Sequence, residues 1–229
     1  MNKFTVIVLA AGSGSRMQSE TPKQYMLLDG KPIMMHCLLT FEQSMINDIV
    51  LVVTPGDEDK CEKLIKDYNI TKVKAIVAGG QERYDSVYAG LSAVDSEYVL
   101  IHDSARAFID VDTIHRCMNA VMLYDSCVVG MPTKDTVKLV DDKRKVTKTP
   151  DRENVWIVQT PQCFEYSLIK KAYDNYYKKG GMGATDDAMV VENYTKHPVH
   201  MIKATYNNIK ITTPEDIAVG EALLKFTKK

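Results

Sequence analysis

The sequence has no apolar run long enough to cross a bilayer, no excess of either charge and no low-complexity stretch. Each absence removes a class of function. The first apolar segment, Phe4 to Ala11, falls well short of the roughly 20 residues a spanning helix needs. It also lacks a following small-residue cleavage site, so a buried first strand is expected there, with no membrane partner. Net charge is -1, and Lys and Arg are spread along the chain. Without a basic stripe there is no footprint for nucleic acid. Twelve Gly and eight Pro are scattered, no repeat is visible, and no Ser/Gly- or Pro-rich stretch marks a linker. The five cysteines, Cys37, Cys61, Cys117, Cys127 and Cys163, show neither zinc-site spacing nor a disulfide framework. Reduced, mostly buried thiols in a cytoplasmic protein are the expectation.

What is present is 229 residues, 45% hydrophobic and 26% charged, enough for one large α/β domain over residues 1–229. Apolar, β-branched runs recur at Phe4 to Leu9, Ile49 to Val53, Val73 to Val77, Tyr98 to Ile101 and Cys127 to Met131, and read as strands buried on both faces. Helical spacing fills the gaps at Pro32 to Phe41, Asp57 to Tyr68, Tyr84 to Val94 and Val111 to Leu123. Strand and helix therefore alternate, which predicts a doubly wound, Rossmann-like, mostly parallel sheet. The pattern breaks at the charged stretch Lys138 to Pro150, followed by an extended Asn154 to Gln159; a projecting β-arm at about 134–158 is expected. Beyond it come a Tyr-rich helix (Tyr166 to Lys178), a helix from Asp186, strands at Val199 to Ala204 and Ile209 to Thr212, and a last helix opening at Thr213-Pro214-Glu215-Asp216.

In open α/β sheets ligands bind beyond the carboxyl ends of the strands, so the segment after the first strand is the place to look for chemistry. It reads Leu9-Ala10-Ala11-Gly12-Ser13-Gly14-Ser15-Arg16-Met17. Gly12 and Gly14 suit either a tight turn or the close approach of backbone N–H groups to an anion, and Arg16 adds a cation. A dinucleotide fingerprint starting at Gly12 requires Gly or Ala at position 17, and a Walker A loop requires Gly-Lys-Ser/Thr; neither is present. Instead Thr21-Pro22-Lys23-Gln24 brings a second cation. Arg16 and Lys23 could flank one triphosphate. Asp103, at the end of the strand Tyr98 to Ile101, could cap a turn or hold a divalent metal such as Mg²⁺ at the same edge. His102 has no metal-spaced partner and reads as structural.

These residues resemble a known set. Ala10 to Met17 with Pro22-Lys23-Gln24 is similar to the signature of sugar-phosphate nucleotidyltransferases, a nucleotide-diphospho-sugar transferase-like fold. More narrowly, it resembles the 2-C-methyl-D-erythritol 4-phosphate cytidylyltransferase family of non-mevalonate isoprenoid biosynthesis. The likeness continues through Ala78-Gly79-Gly80-Gln81-Glu82-Arg83 with Ser86-Val87, His102 to Arg106, Asp135 to Lys138, Asp151-Arg152, Thr160-Pro161-Gln162, Thr185-Asp186 and Asn208 to Thr212. It implies CTP as co-substrate, held by Ala10, Ala11, Gly12, Gly14, Gly80 and Ser86, with Arg16, Lys23 and Lys210 as catalytic cations and the metal on Asp103. It also implies that Arg106, Lys210, Thr160 and Thr185 surround the acceptor. The arm of a homodimer partner would bring Thr136 and Arg152 into the site. Taken singly, Arg106 and Lys210 fit solvated surface cations, Gly79-Gly80 a turn, and Ser86 a helix cap.

Three positions depart from the pattern: Ala107 where relatives commonly carry Pro, Gln81 where an acid is frequent, and Asn207 where many place an Asp. The last bears on a second metal carboxylate. The nearest rival is the ribitol 5-phosphate cytidylyltransferase family, which shares the glycine loop, the Lys and the Asp. Ser86-Val87, Gly90-Leu91, Asp151-Arg152 and Trp156 favour the methylerythritol family. Outside that class, a non-catalytic nucleotide-binding protein would bind CTP without forming pyrophosphate, and a Rossmann oxidoreductase is disfavoured by Met17.

Overall fold

A computed structural model describes residues 2–12, 17 and 21–227. Seven strands make the main sheet: β1 (Phe4–Ala10), β4 (Asp48–Val53), β5 (Val73–Ala78), β6 (Tyr98–Asp103), β7 (Ser126–Pro132), β10 (Trp156–Glu165) and β11 (His200–Lys203). Two small antiparallel ribbons pair β2 (Leu27–Leu28) with β3 (Lys31–Pro32) and β8 (Leu139–Val140) with β9 (Val146–Lys148). The helices are α1 (Ile33–Gln43), α2 (Glu58–Asp67), α3 (Arg83–Leu91), α4 (Val111–Tyr124), α5 (Tyr166–Lys178), α6 (Asp187–Thr195) and α7 (Pro214–Thr227).

The sheet runs β11-β7-β10-β6-β1-β4-β5. β1 pairs in parallel with both β4 and β6, and only β10 runs against its neighbours. Chain order proceeds from β1 outward to β5, then returns to the far side of β1 at β6. The winding reverses there, opening a crevice at the carboxyl ends of β1 and β6, where Leu9 stands opposite Asp103.

Alternation along the strands builds two layers. Val6, Val8, Ile49 and Leu51 pack under Met34, Leu38 and Phe41 of α1 and Ile114 and Val121 of α4. Ile7, Val50, Val52, Val99 and Ile101 face α3 and α5 through Val87, Leu91, Ile169 and Tyr173. Each such side chain contributes about 1.5–3 kcal/mol on burial. Gly90 lets α3 lie close: a Cβ there would stand 2.7 Å from Ile7 Cγ2.

Four elements differ from the sequence expectation. β10 continues through Pro161, which removes a ladder donor and argues against a central strand; the strand shifts register between Val158 and Gln162 and absorbs it. Residues 209–212 form no strand. Ile211 N–H instead bonds Ala105 O at 2.9 Å, so this segment crosses the exit of β6. The projecting ribbon holds only β8 and β9, because Trp156 already pairs with Pro132 in the main sheet. β5 is an edge strand and half-exposed, where burial on both faces was expected.

Candidate active site

β1 ends in Ala10, which is buried, Ala11 and Gly12 follow it, and Lys23 stands in a 3-10 turn, Lys23–Tyr25. A Cβ on Gly12 would lie 3.9 Å from Lys23 Cε, so the lysine stem covers this glycine. Gly14 and Arg16 lie outside the described residues. Across the crevice, Gly79 abuts Ala11: a Cβ there would come within 2.5 Å of the Ala11 Cβ and 2.8 Å of Ser86 Oγ. Only glycine lets these two loops close on one another. Gly80 N–H donates to Ser86 Oγ at 3.1 Å, and that hydroxyl lies 3.3 Å from Glu82 O. Ser86 is not the cap of α3; Glu82 and Asp85 close a capping box there. Ala11, Gly12, Lys23, Gly80, Glu82 and Ser86 line a cavity of about 280 Å³, while Ala10 and Gly79 lie behind its wall.

A second cavity, of about 340 Å³, is lined by Arg106, Thr160, Gln162 and Thr185 among others, and it shares Arg83, Asp103 and Lys210 with the first. Those three side chains form a common wall. Lys210 Nζ meets Asp103 Oδ2 at 2.6 Å and Arg83 Nε meets Oδ1 at 3.2 Å. The other two guanidinium nitrogens of Arg83 grip the buried Asp187, at 3.0 and 2.7 Å. Tyr173 OH donates to Asp187 at 2.6 Å. Gln162 Oε1 accepts from the N–H groups of Asp187 and Ala188 at 2.9 Å each, pinning the start of α6, which Asp186 caps.

Burial alone would raise the Asp103 pKa, but Arg83 and Lys210 overcome it and hold the carboxyl well below the usual carboxylate range. It is fully ionised at neutral pH. Burial likewise opposes the charge of Arg83, which Asp187 and Asp103 restore and strengthen. His102 points away from the cavities: Nε2 is 3.1 Å from Arg106 O and Nδ1 is 3.1 Å from Thr160 Oγ1. A carbonyl can only accept, so Nε2 carries the proton and Thr160 donates to Nδ1. Burial pushes the imidazole pKa down to about 4. Thr160 Oγ1 also accepts from Asp103 N–H at 3.1 Å, so His102 and Thr160 together orient the end of β6.

Arg106 Nη1 donates to Asn208 O at 2.8 Å, while its buried Nε has no hydrogen-bond partner among the described residues. In the first cavity Lys23, Arg83 and Lys210 face Glu82 and Asp103; in the second Arg83, Arg106 and Lys210 face Asp103 and Asp186. Counted over the described residues, each is thus one charge positive and suits an anion. Thr136 and Arg152 are exposed and line neither cavity. Sequence reasoning assigned no role to Arg83, Asp187 or Gln162. The Arg83–Asp187 contact joins residues 104 apart, and one sequence carries no signal for such a pairing.

Two anion-suited cavities meeting at one carboxylate, beyond the reversal point of a doubly wound sheet, suit a nucleotidyltransferase, and the relatives of the chain are nucleotidyltransferases. The chain belongs to the 2-C-methyl-D-erythritol 4-phosphate cytidylyltransferase (IspD) family, whose model matches residues 4–226. A curated relative of that name from Lachnoclostridium phytofermentans is 46% identical over 98% of this chain and 97% of its own. Among solved structures, 4-diphosphocytidyl-2C-methyl-D-erythritol synthase of Anaerococcus prevotii is similar with a TM-score of 0.87 and 33% identity, over 98% of this chain and 96% of its own. The Thermus thermophilus cytidylyltransferase has a TM-score of 0.79 and 27% identity, over 97% and 99%.

Proposed function

We propose that this chain joins CTP to 2-C-methyl-D-erythritol 4-phosphate, giving 4-diphosphocytidyl-2-C-methyl-D-erythritol and pyrophosphate. The observation that carries this reading is the shared wall: a nucleotide in the first cavity and a phosphate monoester in the second would meet across Asp103, Arg83 and Lys210. The acceptor phosphate, with a second pKa near ~6, is already ionised at neutral pH and needs no general base. This agrees with His102, whose ring nitrogens are both engaged. An acceptor oxygen attacks the α-phosphorus, the bond from that phosphorus to the β-phosphate bridging oxygen breaks, and pyrophosphate leaves with the electron pair.

Lys23 and Arg16 balance charge on the triphosphate, and Lys210 and Arg106 orient the acceptor. Backbone groups of Ala10 and Ala11 with Gly80 and Ser86 bound the base, while Gly12 and Gly14 leave room for phosphate. A divalent cation such as Mg²⁺ fits a site with one ionised carboxylate, because its remaining ligands are usually water and substrate phosphates. Asp103 would hold it, each oxygen keeping a lone pair beside Arg83 or Lys210, and the metal would neutralise charge at the α-phosphate. Asp103 would act as a single carboxylate ligand, since no group of three or more His, Cys, Asp or Glu side chains that could hold a metal occurs among the described residues.

The exposed ribbon supports a homodimer with exchanged arms. Leu139, Val140 and Val146 are each about half exposed, and an isolated two-stranded ribbon is marginally stable in water. A partner covering it would place Thr136 and Arg152 at the partner's acceptor cavity. The buried, unpaired cysteines agree with a reducing, cytoplasmic setting.

Pyrophosphate release with each of the four NTPs, against methylerythritol 4-phosphate and ribitol 5-phosphate, tests the reaction. The expected signal needs CTP and the methylerythritol ester; none with any pairing would contradict it, and ribitol alone would reassign the acceptor. Mixed dimers of Lys23→Ala and Arg152→Ala subunits test the exchange. Their activity should exceed that of either parent, and none in verified heterodimers would count against shared sites.

A further inference from the structure

Gln24 stands out among the residues that line the first cavity. It is 1% exposed and lines the first cavity, yet neither its amide oxygen nor its amide nitrogen has a hydrogen-bond partner among the described residues. Leaving one buried polar atom unpaired costs about 1–3 kcal/mol, so an amide with both ends orphaned signals a missing partner. The backbone beneath it is fixed. Tyr25 N–H bonds Pro22 O at 2.9 Å, and the Tyr25 hydroxyl, buried beside Cys61, bonds Asp57 at 2.9 Å. Gln24 is thus held at the cavity wall by a firm turn, with its amide buried there.

The missing partner must donate and accept at one place. Phosphate oxygens only accept. In the reading proposed above, on which this inference rests, the base lies toward Gly80 and Ser86 and the triphosphate toward Gly12 and Lys23. The ribose joins the two and must lie between them, and its hydroxyls both donate and accept. We propose that the Gln24 side-chain amide binds the ribose hydroxyls of the nucleotide, its oxygen accepting from one and its nitrogen donating to the other.

The test measures binding of CTP and of 2′,3′-dideoxy-CTP by calorimetry in Mg²⁺ buffer, together with thermal melting, for wild type and Gln24→Met. Wild type should bind the dideoxy analogue about tenfold more weakly than CTP. Gln24→Met should bind CTP about tenfold more weakly, leave the analogue unchanged and so erase the gap. Its ligand-free melting temperature should hold or rise, because an unpaired buried amide has been removed. Equal weakening for both nucleotides would overturn the ribose assignment, and so would unchanged binding of CTP. A lowered ligand-free melting temperature with intact discrimination would make Gln24 a structural residue and overturn it as well. Absence of CTP binding by wild type would overturn the reading of the cavity itself.

Discussion

The two cavities are built differently. In the first, Gly12, Gly80 and Ala11 leave space between longer side chains, and the Gln24 amide has no hydrogen-bond partner among the described residues. The second is walled by side chains already held by groups behind the wall: Arg106 by the Asn208 carbonyl, Thr160 by His102, and Gln162 by the backbone at the start of α6. A nucleotide presents a flat base and a run of phosphates that backbone N–H groups and glycines can meet. The second cavity holds a prearranged network, which rigid positioning of a small ester requires. The difference predicts separable failures.

The largest effect belongs to the first cavity. Lys23→Ala should lower turnover on the order of 10²–10³-fold, by analogy with loss of an oxyanion donor, while melting stays near wild type. Steady-state kinetics with both substrates checks it, and unchanged turnover in a folded variant would remove Lys23 from the chemistry.

Next comes the network. Asp187→Asn leaves Arg83 half-paired in a buried setting and should destabilise the fold by about 3 kcal/mol, read by denaturant titration. Restoring the carboxylate as Asp187→Glu should recover part of it. A neutral Asp187→Asn would show that the buried pair contributes little to the second cavity.

The smallest effect is a pH dependence. The His102 imidazole, near 6.5 when unfolded, is pushed down to about 4 by burial in the fold. As pH falls below about 6.5 the unfolded chain takes a proton the folded chain refuses, so stability falls until the folded value is reached. Roughly 2 kcal/mol should be lost between about pH 6.5 and about pH 5. His102→Gln should flatten that slope, and an equal slope in the variant would assign it elsewhere.

The same contrast explains what the sequence could and could not show. Consecutive motifs made the first cavity legible: Ala10 to Gly12, Lys23, and Gly80 with Ser86 fall in two short runs, each at the end of a strand with clear apolar periodicity. The second is assembled from Arg83, Asp103, Arg106, residues 158–160, Gln162, Thr185, Asp186 and Lys210, which meet through tertiary structure; the family resemblance alone put Arg106, Thr160, Thr185 and Lys210 together. Pro161 hid the continuation of β10, since a lost donor reads as a break until the register shift is seen. Arg83 was given no role because its partner Asp187 lies on another helix, 104 residues away. Asp103 was placed correctly at a strand end, but the cations on its two oxygens come from positions 83 and 210.

Direct attack of the acceptor phosphate on the nucleotide across the shared wall is the centre of this account. The configuration at the α-phosphorus after transfer from a chiral α-thio-CTP tests it most directly. A single in-line displacement predicts inversion; retention would require a second displacement through a group on the protein and would contradict it.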